Sequence, residues 1–246
     1  MTELGLKEIF SSLQGEGIYI GCRQIFVRLT GCNLACRYCD TDFRPTSVCR
    51  IETEPGCGRF REVESPLAAV QVSALLQRWQ ASFPGLHQAI TLTGGEPLLQ
   101  ATALAQWLPQ LGCELPVHLE TNGTLPEQAQ ALRPWIDFFS IDLKLSSVTG
   151  EPTPWKAHRR FLEVCRGKAA QVKIVVAPGL DERELRQAAE LAAACLPQTP
   201  LILQPVTAEG RPLVPGGQLL SWQTALSRTH PDCRVIPQVH PLLAVF

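Results

Sequence analysis

The sequence predicts an α/β fold with a mostly parallel sheet, because short apolar segments rich in β-branched residues alternate with segments of helical periodicity. The expected strands are residues 24–30, 89–93, 116–120, 138–144, 170–176, 201–205 and 234–238. The expected helices are residues 67–81, 98–111, 126–132, 155–166, 182–196 and 217–228. Repeated strand–helix units of this kind form an open parallel sheet or a partial barrel.

The whole chain, residues 1–246, is expected to form a single domain, since no linker or internal repeat divides it. Residues 43–66 interrupt the alternation: they are rich in Pro, Gly, Arg and Glu and have little periodicity. We interpret this segment as an inserted loop.

Composition limits the possible partners. With 45% apolar residues and a formal charge of −1, the chain resembles an ordinary globular protein and offers no basic surface for nucleic acid. The start of the sequence does not have the pattern of a signal peptide, and no apolar run of about 18 residues is found. We therefore expect a cytoplasmic protein with neither a nucleic-acid nor a membrane partner, whose ten cysteines are reduced.

Polar and glycine-rich residues follow several predicted strands. They are Thr30–Cys32, Gly94–Pro97, Glu120–Gly123, the pair Asp142 and Lys144, and Gln204–Pro205. In parallel α/β folds, ligands bind at the carboxyl ends of the strands. These segments are therefore expected to surround one site.

Three cysteines, Cys32, Cys36 and Cys39, lie within one stretch of eight residues that begins at the end of the first such segment. Their spacing favours an iron–sulfur cluster with one iron open to an external ligand. Zinc completed by Cys22, Cys49, Cys57 or a histidine is the alternative, and free thiols are a third possibility. The other cysteines are interpreted as core residues or as incidental loop residues.

The C-x3-C-x2-C pattern with Tyr38 before the last cysteine resembles the cluster motif of the radical S-adenosylmethionine (SAM) superfamily. The resemblance implies a 4Fe–4S cluster on the three thiolates, with SAM bound to the fourth iron and cleaved reductively to give a 5'-deoxyadenosyl radical. It also implies a partial (β/α)6 barrel, modified or shortened where residues 43–66 occupy the position of the usual first helix.

Further segments resemble the SAM contacts of that superfamily. Gly94, Gly95 and Glu96 resemble the glycine-rich turn that receives the SAM ammonium group, and Tyr38 belongs to the cluster motif. Contacts to the ribose, carboxylate and adenine are implied for Ser140, Asp142, Leu143, Lys144, Gln204, Pro205, Val206 and Thr207. Without the resemblance, these residues could simply form a tight turn and polar strand ends.

Four segments resemble the 7-carboxy-7-deazaguanine synthases of queuosine and deazapurine biosynthesis: Ser12–Gly17, Phe26–Arg28, Cys39–Thr41 and Gln238–His240. The resemblance implies conversion of 6-carboxy-5,6,7,8-tetrahydropterin to 7-carboxy-7-deazaguanine with loss of ammonia. It also implies a homodimer and an electron donor such as flavodoxin or ferredoxin.

Two alternative functions remain. A glycyl-radical-enzyme activase shares the cysteine motif but does not explain these segments, and a zinc-stabilised interaction module is an alternative outside enzymes.

The expected substrate residues are Leu13, Gln14, Gly15, Glu16, Arg28, Thr93 and His240. Gln14 and Glu16 can read the alternating donors and acceptors of a 2-amino-4-oxopyrimidine edge, and Arg28 suits a carboxylate. The resemblance implies that Thr41 holds Mg²⁺, whose preferred ligands are oxygens. Without the resemblance, Gln14–Gly17 could simply form a turn, and Arg28 could form a surface ion pair. Thr41 could cap a helix or lie in a turn, and His240 could be a structural histidine. No catalytic side chain is expected beyond those that position cofactor and substrate.

Overall fold

The computed structural model describes residues 2–39 and 41–245. The strands are β1 (Glu3–Leu4), β2 (Leu6–Leu13), β3 (Arg23–Leu29), β4 (Val48–Glu52), β5 (Phe60–Glu64), β6 (Leu67–Ala68), β7 (Ala89–Gly94), β8 (Val117–Thr121), β9 (Phe138–Asp142), β10 (Ala169–Val176), β11 (Leu201–Pro205), β12 (Thr207–Ala208), β13 (Arg211–Pro212) and β14 (Cys233–Val235). The helices are α1 (Ala69–Ser82), α2 (Ala101–Trp107), α3 (Pro126–Leu132), α4 (Ser146–Thr149), α5 (Trp155–Val164), α6 (Glu182–Cys195), α7 (Gly216–Leu226) and α8 (His240–Leu243), with short 3-10 turns at Gly17–Tyr19, Pro97–Gln100, Leu108–Gln110 and Arg133–Trp135.

The main sheet has the order β14-β11-β10-β9-β8-β7-β3-β2-β4-β5. From β3 to β14 every neighbouring pair is parallel. On the other side of β3, strand β2 is antiparallel to it, and β4 and β5 form an antiparallel pair beyond β2. The predicted mostly parallel α/β sheet is confirmed, and its modification lies in the first unit, where the inserted segment precedes α1.

The two faces of the sheet differ in chemistry because side chains alternate along each strand. One face packs with the helices into the hydrophobic core. Its fully buried strand residues are Ile25, Val27, Ile90, Leu92, Leu119, Phe139, Ile141, Val172, Ile174, Leu201 and Leu203. The other face carries polar side chains at the intervening positions and lines a cavity, whose residues include Arg28, Thr93, Glu120, Ser140, Asp142, Gln171, Lys173 and Gln204.

The inserted segment 43–66 was predicted as a loop, and the structure corrects this. Val48–Glu52 pairs with Phe60–Glu64 as a hairpin, and β4 extends the sheet beside β2. The strand pattern was hidden by the Pro and Gly residues of the connecting turn: Cys49 and Ile51 are buried, whereas Arg50 between them is exposed. Strand β2 was also absent from the prediction.

The buried side chain of Glu52 joins the hairpin to the sheet by hydrogen bonds. Its carboxylate accepts hydrogen bonds from the backbone N–H groups of Ser11 (2.9 Å), Gly56 (3.0 Å) and Gly58 (2.8 Å). These bonds join the turn between β4 and β5 to strand β2. The hairpin in turn places Arg50 at the cavity.

No helix within the described residues is long and apolar enough to cross a membrane.

Replacing Glu52 by Ala should lower the free energy of unfolding by about 2 kcal/mol, because the buried Ser11 N–H loses its acceptor and the turn loses two more bonds. Urea denaturation measures the change. Glu62→Ala, an exposed carboxylate on the same hairpin, is the control and should shift stability by no more than about 0.5 kcal/mol. Equal unfolding midpoints for the two variants would contradict this role of Glu52.

Candidate active site

The polar face of the sheet and the loops at the carboxyl ends of its parallel strands enclose one cavity of about 630 Å³. Of the residues predicted from the sequence, it is lined by Leu13, Gln14, Gly15, Glu16, Arg28, Cys32, Cys36, Tyr38, Cys39, Thr41, Thr93, Gly94, Gly95, Ser140, Asp142, Lys144, Gln204, Val206, Thr207 and His240. The fold therefore brings the cysteine motif and the expected substrate residues to the same space.

The cysteine motif lies on the loop that leaves β3. Cys32 and Cys36 are half-buried and Cys39 is exposed, and burial raises the pKa of the first two thiols. Within residues 2–39 and 41–245, no group of three His, Cys, Asp or Glu side chains is arranged to hold a metal ion. A single zinc ion requires its ligands about 2.3 Å from one point, whereas the thiolates of a 4Fe–4S cluster bind separate irons. Three thiols around one cavity can supply three of the ligands of such a cluster. Asp40 lies outside the described residues.

The turn after β7 contacts the cysteine loop so closely that only glycine fits. A Cβ on Gly95 would lie 2.2 Å from the carbonyl oxygen of Gly31 and 2.7 Å from the Cβ of Cys32. Gly94 has a φ of +136°, and a Cβ there would lie 2.2 Å from the Leu29 carbonyl oxygen. The two glycines therefore leave their backbone exposed to the cavity beside the cysteines.

Glu96 was predicted to contact the cofactor, but its side chain does not line the cavity. Its carboxylate accepts hydrogen bonds from the Asn122 N–H (2.7 Å), the Leu98 N–H (3.1 Å) and the Thr121 hydroxyl (2.9 Å). Burial raises the pKa of Glu96 to about 7, against the lowering effect of these bonds. The backbone N–H of Glu96 also donates to the Gly31 carbonyl. Glu96 therefore joins the loops that follow β3, β7 and β8, and its side chain does not face the cavity.

Leu143 and Pro205 are two further predicted cofactor contacts, which stay predictions for their backbone atoms. Neither side chain lines the cavity, because alternation along the chain turns them to the opposite face from Asp142 and Gln204. Leu143 is 1% exposed and belongs to the hydrophobic core.

Three cavity residues carry buried oxygen atoms without a hydrogen-bond partner among the described residues: Asp142 Oδ1, Gln204 Oε1 and Thr207 Oγ1. Such an atom costs about 1–3 kcal/mol when unpaired. The three atoms lie beneath the surface of the cavity, so a bound ligand would reach them only after the side chains move.

The segment Gln14–Gly17 is held by bonds across the sheet. Gln14 donates to Glu120 Oε1 (2.8 Å) and its own oxygen accepts from the Glu16 N–H (3.0 Å). The second oxygen of Glu120 accepts from the Thr93 hydroxyl (2.7 Å). The ring of His240 lies against Gly15, where a Cβ would be 2.4 Å from Nδ1.

Arg28 lies at the hairpin side of the cavity. Its Nε donates to Glu8 (2.7 Å), and its guanidinium lies 5.4 Å from the ring centroid of Phe10. Phe10 stacks on Phe26 at 5.1 Å, which gives this side of the cavity a flat aromatic surface. Thr41, from the loop beyond the cysteines, lines the same cavity.

Several lining residues were not singled out from the sequence, among them Glu8, Gln171 and Lys173. The signal for two of them was present. Gln171 and Lys173 are polar residues at alternate positions in an otherwise apolar strand, a pattern that places them on the face opposite the core.

Comparisons with known proteins agree with this geometry. The model of the Radical SAM superfamily matches residues 26–192. The 7-carboxy-7-deazaguanine synthase of Geobacter sulfurreducens is 43% identical over 237 residues, covering 96% of this chain and 95% of the relative. That of Methanothermobacter thermautotrophicus is 32% identical and covers 98% of this chain and 97% of the relative.

Among solved structures, QueE from Escherichia coli matches with a TM-score of 0.61 at 20% identity, covering 97% of this chain and 95% of that one. This match shows the fold alone. From the superfamily match and the nearly full-length sequence relatives, the chain belongs to the radical SAM superfamily and, within it, to the family of 7-carboxy-7-deazaguanine synthases.

Proposed function

We propose that this chain converts 6-carboxy-5,6,7,8-tetrahydropterin to 7-carboxy-7-deazaguanine with loss of ammonia. The observation that carries the proposal is one cavity lined both by the three cysteines of the cluster motif and by the segment Leu13–Glu16. The names of the nearly full-length relatives support the same reaction.

The family implies a 4Fe–4S cluster and SAM. When bound, this pair supplies a one-electron reductive cleavage that generates a 5'-deoxyadenosyl radical. Cys32, Cys36 and Cys39 would hold the cluster, and the backbone of Gly94 and Gly95 would receive the ammonium group of SAM. Asp142, Gln204 and Thr207 line the cavity and would contact its remaining polar groups.

The chain's own residues would bind and orient the pterin. Lys173 and Gln238 hold the pKa of Glu16 at about 2 although burial alone would raise it, so the carboxylate is ionised at neutral pH. An ionised carboxylate accepts hydrogen bonds from the N–H groups of a 2-aminopyrimidine edge. The terminal nitrogens of Arg28 would bind the substrate carboxylate, and Thr41 would hold a magnesium ion beside it.

Further parts of the proposal concern partners and location. An electron donor such as flavodoxin or ferredoxin would reduce the cluster near the exposed Cys39. A homodimer and a cytoplasmic location are proposed as well, the latter because all ten cysteines are free thiols.

Anaerobic reconstitution with iron and sulfide tests the function. With dithionite, SAM, magnesium and the pterin, mass spectrometry should detect both 5'-deoxyadenosine and 7-carboxy-7-deazaguanine. Cys36→Ser should lose bound iron and both products, because a cluster thiolate is missing. Cys57→Ser is the matched control and should keep both, because Cys57 lies on the hairpin turn, where it bonds to Thr53.

Deoxyadenosine without the deazaguanine would overturn the proposed substrate while leaving the superfamily chemistry intact. A colourless protein that binds zinc and yields neither product would overturn the enzyme as a whole.

Thr41→Ala should raise the magnesium concentration for half-maximal turnover by about tenfold, the loss of roughly 1.4 kcal/mol of binding. SAM cleavage without substrate should be unchanged, because the thiol and glycine elements are intact. Magnesium titration of deazaguanine formation measures the effect. Thr46→Ala, in the same loop and with its hydroxyl accepting from the Val48 N–H, should titrate like the wild type. Equal titrations for both variants would contradict magnesium binding at Thr41.

A further inference from the structure

Lys173 is a buried charged residue in the middle of strand β10. Its side chain is 13% exposed and lines the cavity, while its neighbours Val172 and Ile174 are fully buried on the other face. In the sheet register it lies beside Asp142 of β9. Lys173 is therefore held on a rigid element between the substrate segment and the cofactor side of the cavity.

The ammonium of Lys173 contacts one carboxylate on each side. It donates a hydrogen bond to Glu16, and it lies 3.4 Å from Asp142 Oδ2. The same Asp142 oxygen accepts from Lys144 at 2.7 Å, and Lys144 also donates to the Tyr38 hydroxyl at 2.9 Å. A series of hydrogen bonds and one ion pair thus runs from the cysteine loop to Glu16.

The charges along this series balance. Two lysines, Lys144 and Lys173, face two carboxylates, Glu16 and Asp142, and all four side chains are largely buried. Glu16 also accepts from Gln238 at 2.9 Å, and His240 lowers the pKa of Glu16 in the same direction as Lys173. Burial lowers the pKa of Lys173, but Glu16 and Asp142 raise it by more, so the lysine carries its charge.

Removing one member of a buried ion pair leaves the other as an unpaired charge, which is strongly unfavourable and favours its neutral form. Without Lys173, Glu16 would retain Gln238 and His240 but lose its ion-pair partner. Its carboxylate would then lose both its ionisation and its fixed orientation.

We propose that Lys173 is a positioning residue that couples Glu16, which reads the substrate, to Asp142, which lies on the SAM side, and so fixes the separation of the two reactants. The proposal rests on the function proposed above. A radical generated on one reactant is transferred efficiently only if the other is held within contact distance. Loosening this link should therefore separate SAM cleavage from product formation.

The test compares reconstituted holoenzymes carrying Lys173→Met, Lys173→Arg and Lys168→Met. Lys168 is the matched control, since it directly precedes the same strand and its ammonium donates to the Ile136 carbonyl, away from the cavity lining. The readouts are KM and kcat for the pterin, pterin binding to the SAM-loaded protein, and the ratio of deoxyadenosine to deazaguanine. Iron content and melting temperature check that each variant is folded and loaded.

Lys173→Met should raise the KM for the pterin by about tenfold and increase the ratio of deoxyadenosine to deazaguanine. Its kcat/KM, relative to wild type, should fall further as pH is lowered from about 8 to about 6, because an unpaired Glu16 takes up a proton in that range. Lys173→Arg, which keeps the charge, should retain the wild-type pH profile and ratio. A purely structural role would lower both products together and leave their ratio unchanged.

The double variant Glu16→Gln/Lys173→Met removes both charges and guards against failure of the single variant to fold. It should bind the pterin weakly with no added pH dependence. The proposal is overturned if Lys173→Met matches Lys168→Met in KM and product ratio, or if the single and double variants share one pH profile. Failure of the wild type to form deazaguanine would instead overturn the proposed function, and pterin binding would still compare the variants.

Discussion

The buried carboxylate of Glu96 is the interaction on which the arrangement of the site depends. The backbone N–H of Glu96 donates to the carbonyl of Gly31 in the cysteine loop. Its carboxylate accepts from Thr121 and Asn122 at the end of the next strand. Loops at the ends of three neighbouring parallel strands are thereby fixed to one another. The close approach of Gly95 to the cysteine loop is possible only in this arrangement. The geometry beside the cysteines is thus set by residues that need not touch a ligand.

The second constraint is the polarity of the inner face of the sheet. Buried polar side chains on this face are paired with one another. The His118 ring lies within hydrogen-bond distance of the Ser140 hydroxyl (2.7 Å), and that hydroxyl accepts from the Gln171 amide (2.6 Å). The unpaired buried oxygens of Asp142 and Gln204 belong to residues of the cavity lining. The apolar face, packed against the helices, supplies the burial that offsets the cost of this polar surface. The fold therefore tolerates buried oxygens that have no partner among the described residues.

Much of this was accessible from the sequence, because parallel strands and strand-end residues leave local patterns. The period of two places the side chains of Leu143 and Pro205 on the face opposite the cavity and that of Lys173 on the cavity face. Other features depend on distant contacts that no local pattern reports. The orientation of Glu96 follows from bonds to Thr121 and Asn122 on another loop. The hairpin in residues 43–66 was masked by the Pro and Gly residues of its turn.

A single cavity brings the three thiols together with the side chains that we propose bind SAM. The most direct measurement is the electron paramagnetic resonance spectrum of the reduced, reconstituted protein before and after addition of SAM with an isotope-labelled carboxylate. The account predicts a 4Fe–4S signal that shifts when SAM is added and shows hyperfine coupling to the label. A cluster signal that SAM leaves unchanged would contradict it, because cluster and cofactor would then occupy separate sites.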